Sequence, residues 1–147
     1  MKKRFYQLAL AGILLTGASP LWATHHKSIQ MPAEELKWVP NPAKPEEISM
    51  AVTWGDPAKG AHGAFHKFKA GTVVENHSHS STFKGVIVAG TIVTGPVDSP
   101  KTLGPGSFFM DAKNENHITK CEGTTDCIMY IESSGKFDLK LAKKSKK

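Results

Sequence analysis

No nucleophile, histidine and acid can be placed together in this 147-residue chain, and it carries neither a phosphate-binding loop nor a dinucleotide fingerprint. Hydrolysis through a serine or cysteine nucleophile is therefore unsupported. Downstream of an N-terminal apolar run, no stretch repeats its apolar residues at a helical period of useful length. That leaves strands to build the domain. Cysteine is scarce: Cys121 and Cys127 are the only two. No cysteine follows the apolar run to accept a lipid, and no paired arginines mark export in the folded state.

What the N-terminus does have is the order of an exported chain. Met1–Lys2–Lys3–Arg4 is cationic, Phe5 to Thr16 is apolar apart from Gln7 and Gly12, and Gly17 to Ala23 resembles a cleavage region. The run is short for a membrane span, so residues 1–23 are expected to be a signal peptide cut after Ala23, with an uncleaved anchor as the alternative. The mature protein is then periplasmic or secreted, with no stable membrane insertion. Export takes the two cysteines into an oxidising space, where a disulfide between Cys121 and Cys127 is the default. Cys121 is also four residues beyond His117 on the same expected strand, which leaves a thiolate ligand as the other reading.

The formal charge of +6 is concentrated at the two ends. Setting aside Lys2, Lys3, Arg4, Lys140, Lys143, Lys144, Lys146 and Lys147 leaves 11 basic and 13 acidic residues, a nearly neutral body. The terminal lysines have no interleaved aromatics, so residues 140–147 are expected as a solvated, disordered basic tail and no nucleic-acid partner is expected. Residues 24–47, rich in proline and charge, read as an extended arm anchored by Trp38–Val39–Pro40. His25 and His26 fall at its start, where terminal disorder outweighs loose metal binding.

Between arm and tail, residues 48–139 hold short strand signals separated by glycine and proline. Ile48 to Trp54 alternates, Gly55 to Gly60 has turn chemistry, and Gly63 to Phe68 is the next strand, which puts His66 on the face of Phe68. His62 reads as a surface turn residue. Lys84 to Thr94 is the clearest strand signal, and Ala89–Gly90 within it fits either two strands or one bulged strand. Gly104–Pro105–Gly106 turns the chain into Ser107 to Met110, and the polar loop Asp111 to Asn116 leads to His117. Ile118 to Cys121, Cys127 to Glu132 and Lys136 to Leu139 complete the set. The expected fold is an all-β antiparallel barrel or jelly roll.

Within it, His77 and His79 are two apart, so on an extended segment both side chains point to one side and can grip one ion. Gly71, five residues, His77–Ser78–His79 and then Gly90 resemble the first motif of the cupin superfamily in spacing. Gly106 followed by His117 resembles the glycine and histidine of the second. The resemblance runs from about Gly63 to Glu132 and implies a double-stranded β-helix barrel with His77, His79 and His117 facing inward as metal ligands. Phe83 stands where cupins usually carry a glutamate ligand, and Ala112, Asn114 and Cys121 stand at the usual proline, inner glycine and asparagine. Trp54–Gly55–Asp56–Pro57, Gly104 to Ser107, the cysteine pair and Gly135–Lys136–Phe137–Asp138 further resemble exported bacterial cupins labelled as a domain of unknown function.

Three neutral imidazoles leave coordination positions open on a divalent transition metal: Zn²⁺, Mn²⁺, Cu²⁺, Fe²⁺ or Ni²⁺. Without a carboxylate the ion keeps its full charge, which favours an anionic ligand or lowers the pKa of bound water. Glu75 shares the parity of the two histidines and would supply a carboxylate on a regular strand; a loop after Gly71 is the competing expectation. His66 is expected either to orient a ligating histidine by a hydrogen bond or to be an ordinary core residue. The cupin resemblance implies, as the first of two open readings, a metal-dependent enzyme, dioxygenase- or isomerase-like, acting on a small molecule. A non-catalytic binding module is the alternative, and pairing of strand edges into a homodimer is a further option.

Overall fold

The computed structural model describes residues 28–143. The expected signal peptide, His25, His26 and the last four residues lie outside them. Among the described residues, eleven strands account for nearly all the regular structure: β1 (Val39–Pro40), β2 (Ile48–Gly55), β3 (His62–Phe68), β4 (Val73–Ser78), β5 (Phe83–Ala89), β6 (Thr91–Gly95), β7 (Lys101–Leu103), β8 (Phe108–Asp111), β9 (His117–Glu122), β10 (Cys127–Ser133) and β11 (Lys140–Leu141). No helix among the described residues is long and apolar enough to cross a membrane.

The strands form two sheets, ordered β1-β2-β3-β10-β5-β8 and β11-β4-β9-β6-β7, with every pairing antiparallel. Period-two alternation decides which residues enter the space between them. In β5, Phe83, Gly85 and Ile87 are buried and Lys84, Val86 and Val88 exposed; in β10, Cys127, Met129, Ile131 and Ser133 are buried. Ile48, Phe68, Phe83, Ile87, Phe109, Met129 and Ile131 from the first sheet meet Val74, Ile92 and Cys121 from the second in one apolar cluster. Burying each large side chain contributes about 1.5–3 kcal/mol, which stabilises two sheets that have no backbone ladder between them.

Gly90 separates β5 from β6, and these strands lie in opposite sheets, so the stretch is two strands and not one bulged strand. Gly90 adopts φ +75°, and a Cβ there would come within 2.8 Å of Cys127 Sγ. Only glycine allows both the left-handed backbone and that approach. Cys121 and Cys127 are joined by a disulfide. The thiolate-ligand reading of Cys121 falls, because its sulfur is bonded within the core. β9 and β10 do not pair with each other, so the bridge ties one sheet to the other across the Gly123–Asp126 connection.

At the two ends, the expectation for the tail changes. The arm, in its described part, contains a 3₁₀ turn at Ala33–Glu35 and adds β1 to the edge of β2, with Lys67 Nζ 4.4 Å over the Trp38 ring. Lys140 and Leu141, placed in the disordered tail, instead pair with Ser78 and His77 as β11.

Candidate metal centre

β4 and β9 set the centre. His77 and His117 are register partners across these strands, with ring centroids 4.1 Å apart. His79 follows the end of β4, its ring 5.0 Å from that of His77 and 5.3 Å from that of His117. All three are buried, and their donor nitrogens lie within 4.8 Å of one another.

The tautomers follow from the backbone. Nδ1 of His77 bonds the Glu75 carbonyl at 2.7 Å, that of His79 the Asp138 carbonyl at 2.5 Å, and that of His117 the Glu115 carbonyl at 3.1 Å. A carbonyl only accepts, so each Nδ1 carries the proton and each Nε2 presents its lone pair. Burial holds His79 below its ordinary pKa, and burial followed by the neighbouring His117 lowers His77 to about 4. Both are therefore neutral near pH 7, the form that binds a metal. An ion bonded at about 2.1 Å needs donors about 3.0–3.4 Å apart, and the three donor nitrogens lie within 4.8 Å of one another. The donor set fits a transition metal.

Phe83, at the position of the cupin glutamate, is buried with its ring stacked on that of His79, centroids 4.1 Å apart and planes 17° apart. It supplies orientation where an acid would supply a bond. Asn114, at the inner glycine position, adopts φ +62° and donates its backbone N–H to the His79 carbonyl at 2.8 Å. Asparagine tolerates the left-handed region better than most side chains, so the turn keeps a glycine-like conformation without glycine.

Glu75 does not supply a carboxylate. β4 is a strand, which sets aside the expected loop, but its register against β9 shifts between Val74 and His77, where three steps on β4 oppose two on β9. The extra residue is a bulge that turns both Val74 and His77 inward and leaves Glu75 exposed. Its part in the centre is the carbonyl that accepts from His77.

His66 is buried and lines the same cavity, but its Nε2 has no hydrogen-bond partner, so it does not orient a ligating histidine through that atom. Burial, then the nearby His62 and His79, pushes it down to about 3. His62 is buried too and not a surface turn residue: it begins β3 with the same parity as Ala64 and His66, and its Nδ1 bonds the Gly60 carbonyl at 2.9 Å.

Three contributors were not anticipated. Asp111 ends β8 with its carboxylate Oδ2 3.5 Å from His117 Nε2; burial raises its pKa, and His117 opposes that rise. Its cue was the boundary between an apolar strand and a polar loop. Phe137 lies 6.1 Å from Phe83 and 6.0 Å from His66, ring to ring. Asp138 accepts from His79 through its carbonyl and from the Ser80 N–H through Oδ1 at 2.8 Å. A main-chain acceptor leaves no mark in side-chain spacing. The histidines open onto a cavity of about 50 Å³ whose other walls are mainly apolar, including Ile48, Phe68, Met129 and Leu139.

Solved structures with this fold include enzymes and proteins described as RmlC-like cupins. KdgF from a Halomonas species is 18% identical with a TM-score of 0.59, covering 74% of this chain and 94% of its own. The polyketide cyclase RemF from Streptomyces resistomycificus is 12% identical with a TM-score of 0.64, covering 82% and 89%. An RmlC-like cupin from Ralstonia eutropha is 19% identical with a TM-score of 0.61, covering 74% and 69%. At these identities the likeness shows the cupin fold. No match is found among curated proteins. The sequence profile described as "Domain of unknown function (DUF4437)" matches residues 14–140, so the chain belongs to the DUF4437 family and carries it on a cupin barrel.

Proposed function

We propose that this is an exported cupin that holds one divalent transition metal on His77, His79 and His117 and acts on a small molecule in the adjoining cavity, as a dioxygenase- or isomerase-like enzyme. The observation that carries the reading is the convergence of three buried imidazoles whose Nδ1 atoms are all committed to backbone carbonyls. Such a set is built to present lone pairs, and three protein donors leave positions open for a reactant. When bound, the ion supplies Lewis acidity toward a ligand oxygen or a site for O₂.

The chain's own residues limit what can enter. A cavity of about 50 Å³ admits a molecule of a few heavy atoms in addition to the ion. Its apolar walls exclude competing water, and the unpaired Nε2 of His66 offers a hydrogen bond to a polar end of that molecule. The mainly apolar lining also favours a second reading, a binding module that holds the same ligand without turning it over. Turnover of any compound that occupies the cavity would decide against that alternative.

Export, with residues 1–23 as the signal, is supported by the order of the N-terminal segments and by the Cys121–Cys127 bridge, which an oxidising compartment preserves. The test is elemental analysis of protein purified from its native compartment. One equivalent of metal in the wild type and none in the His79→Ala variant is expected; a metal-free wild type contradicts the proposal.

A further inference from the structure

The three imidazoles were joined by no acid at the position where a cupin glutamate stands, because Phe83 fills it. Strand pairing brings another acid to the same place. Phe83 and Asp111 are register partners across β5 and β8, so the Asp111 side chain enters the cavity from the strand beside the vacated position. Its carboxylate is only 13% exposed, and Oδ2 lies 3.5 Å from Nε2 of His117. That nitrogen is the lone-pair side of the ring, since Nδ1 donates to the Glu115 carbonyl. The carboxylate oxygen and the side of the ring that could bind a metal thus face each other, close enough for one cation to bridge them.

We propose that Asp111 is the acidic ligand of this centre, delivered from β8 in place of the β5 glutamate, so that the metal is held by three histidines and one aspartate. The assignment rests on the three-histidine reading. It changes the chemistry expected of the site in two ways. One carboxylate reduces the net charge of the bound divalent ion from two to one, which weakens the preference for an anionic ligand. An oxygen donor among nitrogens also shifts selectivity toward harder ions such as Mn²⁺, relative to Zn²⁺ or Cu²⁺. The exchange of positions is consistent on both sides of the ladder: the aromatic that displaced the acid stacks on His79, and the acid that replaces it touches His117.

The test compares Mn²⁺ and Zn²⁺ affinities of the full mature chain, by competition with a chromophoric chelator, for wild type, Asp111→Asn, Asp111→Ser and His79→Ala. Asp111 as a ligand predicts that both aspartate variants lose about tenfold or more in Mn²⁺ affinity, lose less in Zn²⁺ affinity, and change the visible spectrum of the Co²⁺-loaded protein. Melting in chelator confirms that the variants are folded. Unchanged affinities and an unchanged Co²⁺ spectrum in both aspartate variants, with His79→Ala abolishing binding, overturn the assignment of Asp111 and leave the three-histidine site standing. A wild type that binds neither ion overturns both.

Discussion

The ring of His79 lies almost flat against that of Phe83, 4.1 Å between centroids. The contact fixes the plane of a histidine whose Nδ1 is already held by the Asp138 carbonyl, so Nε2 has little freedom left. Replacing Phe83 with leucine keeps an apolar side chain but removes the flat face. Phe83→Leu is expected to lower stability by about 1–2 kcal/mol through imperfect packing and to weaken metal binding several-fold. Denaturant titration in chelator and a chelator-competition assay measure the two effects separately.

Asp138 restrains the same histidine from the other side. Its Oδ1 accepts from the Ser80 N–H and so fixes the carbonyl that His79 uses. Asp138→Ala leaves the carbonyl in place but loosens it. About tenfold weaker metal binding is expected, with little change in the melting temperature of the metal-free protein. Equal metal affinity would show that the strand β11 pairing alone suffices to hold this segment.

The disulfide joins two sheets that have no ladder between them at that point. Closing a loop between residues six apart restricts the unfolded chain by about 2 kcal/mol in the chain-entropy account. The double variant Cys121→Ser, Cys127→Ser is expected to lose at least that much, because it also buries two hydroxyls in an apolar cluster. Urea unfolding of the variant and of reduced wild type checks the figure; a midpoint unchanged by reduction would contradict it.

His66 is expected to make the metal-free protein sensitive to acid. Its folded pKa of about 3 lies below the ordinary 6.5, so between those values the unfolded chain binds a proton that the folded chain does not. Stability is therefore full above pH 6.5 and falls as pH is lowered through that window, by roughly 3 kcal/mol at pH 4 from this group alone. The groups facing it are Phe137, the register partners Met50 and Met129, and the nearby His62 and His79. His66→Leu should flatten the dependence of the urea midpoint on pH between 6.5 and 4. An equally steep dependence in that variant would place the acid sensitivity elsewhere.

The barrel was legible because alternation and punctuation are local. β5 and β10 declare their inward residues one by one, and Gly90 and Gly106 mark the turns between strands. The histidines were legible by spacing. What stayed hidden depends on pairing between distant segments. Glu75 looked inward by parity, but a bulge defined by the register against β9 reverses it. Asp111 had no visible link to Phe83 until β8 lay beside β5. The disulfide was expected from the compartment, but that it connects strands of different sheets is a fact that the six-residue spacing does not contain. The acceptors of the three Nδ1 protons are main-chain carbonyls, which any residue type provides.

The central claim is that His77, His79 and His117 hold one ion together. Calorimetric titration of Zn²⁺ into chelator-stripped protein tests it most directly. One site per chain in the wild type, lost in each of His77→Ala, His79→Ala and His117→Ala while all three variants remain folded, is the predicted result. Absence of binding to the wild type, or binding of undiminished affinity in any of the three variants, would contradict it.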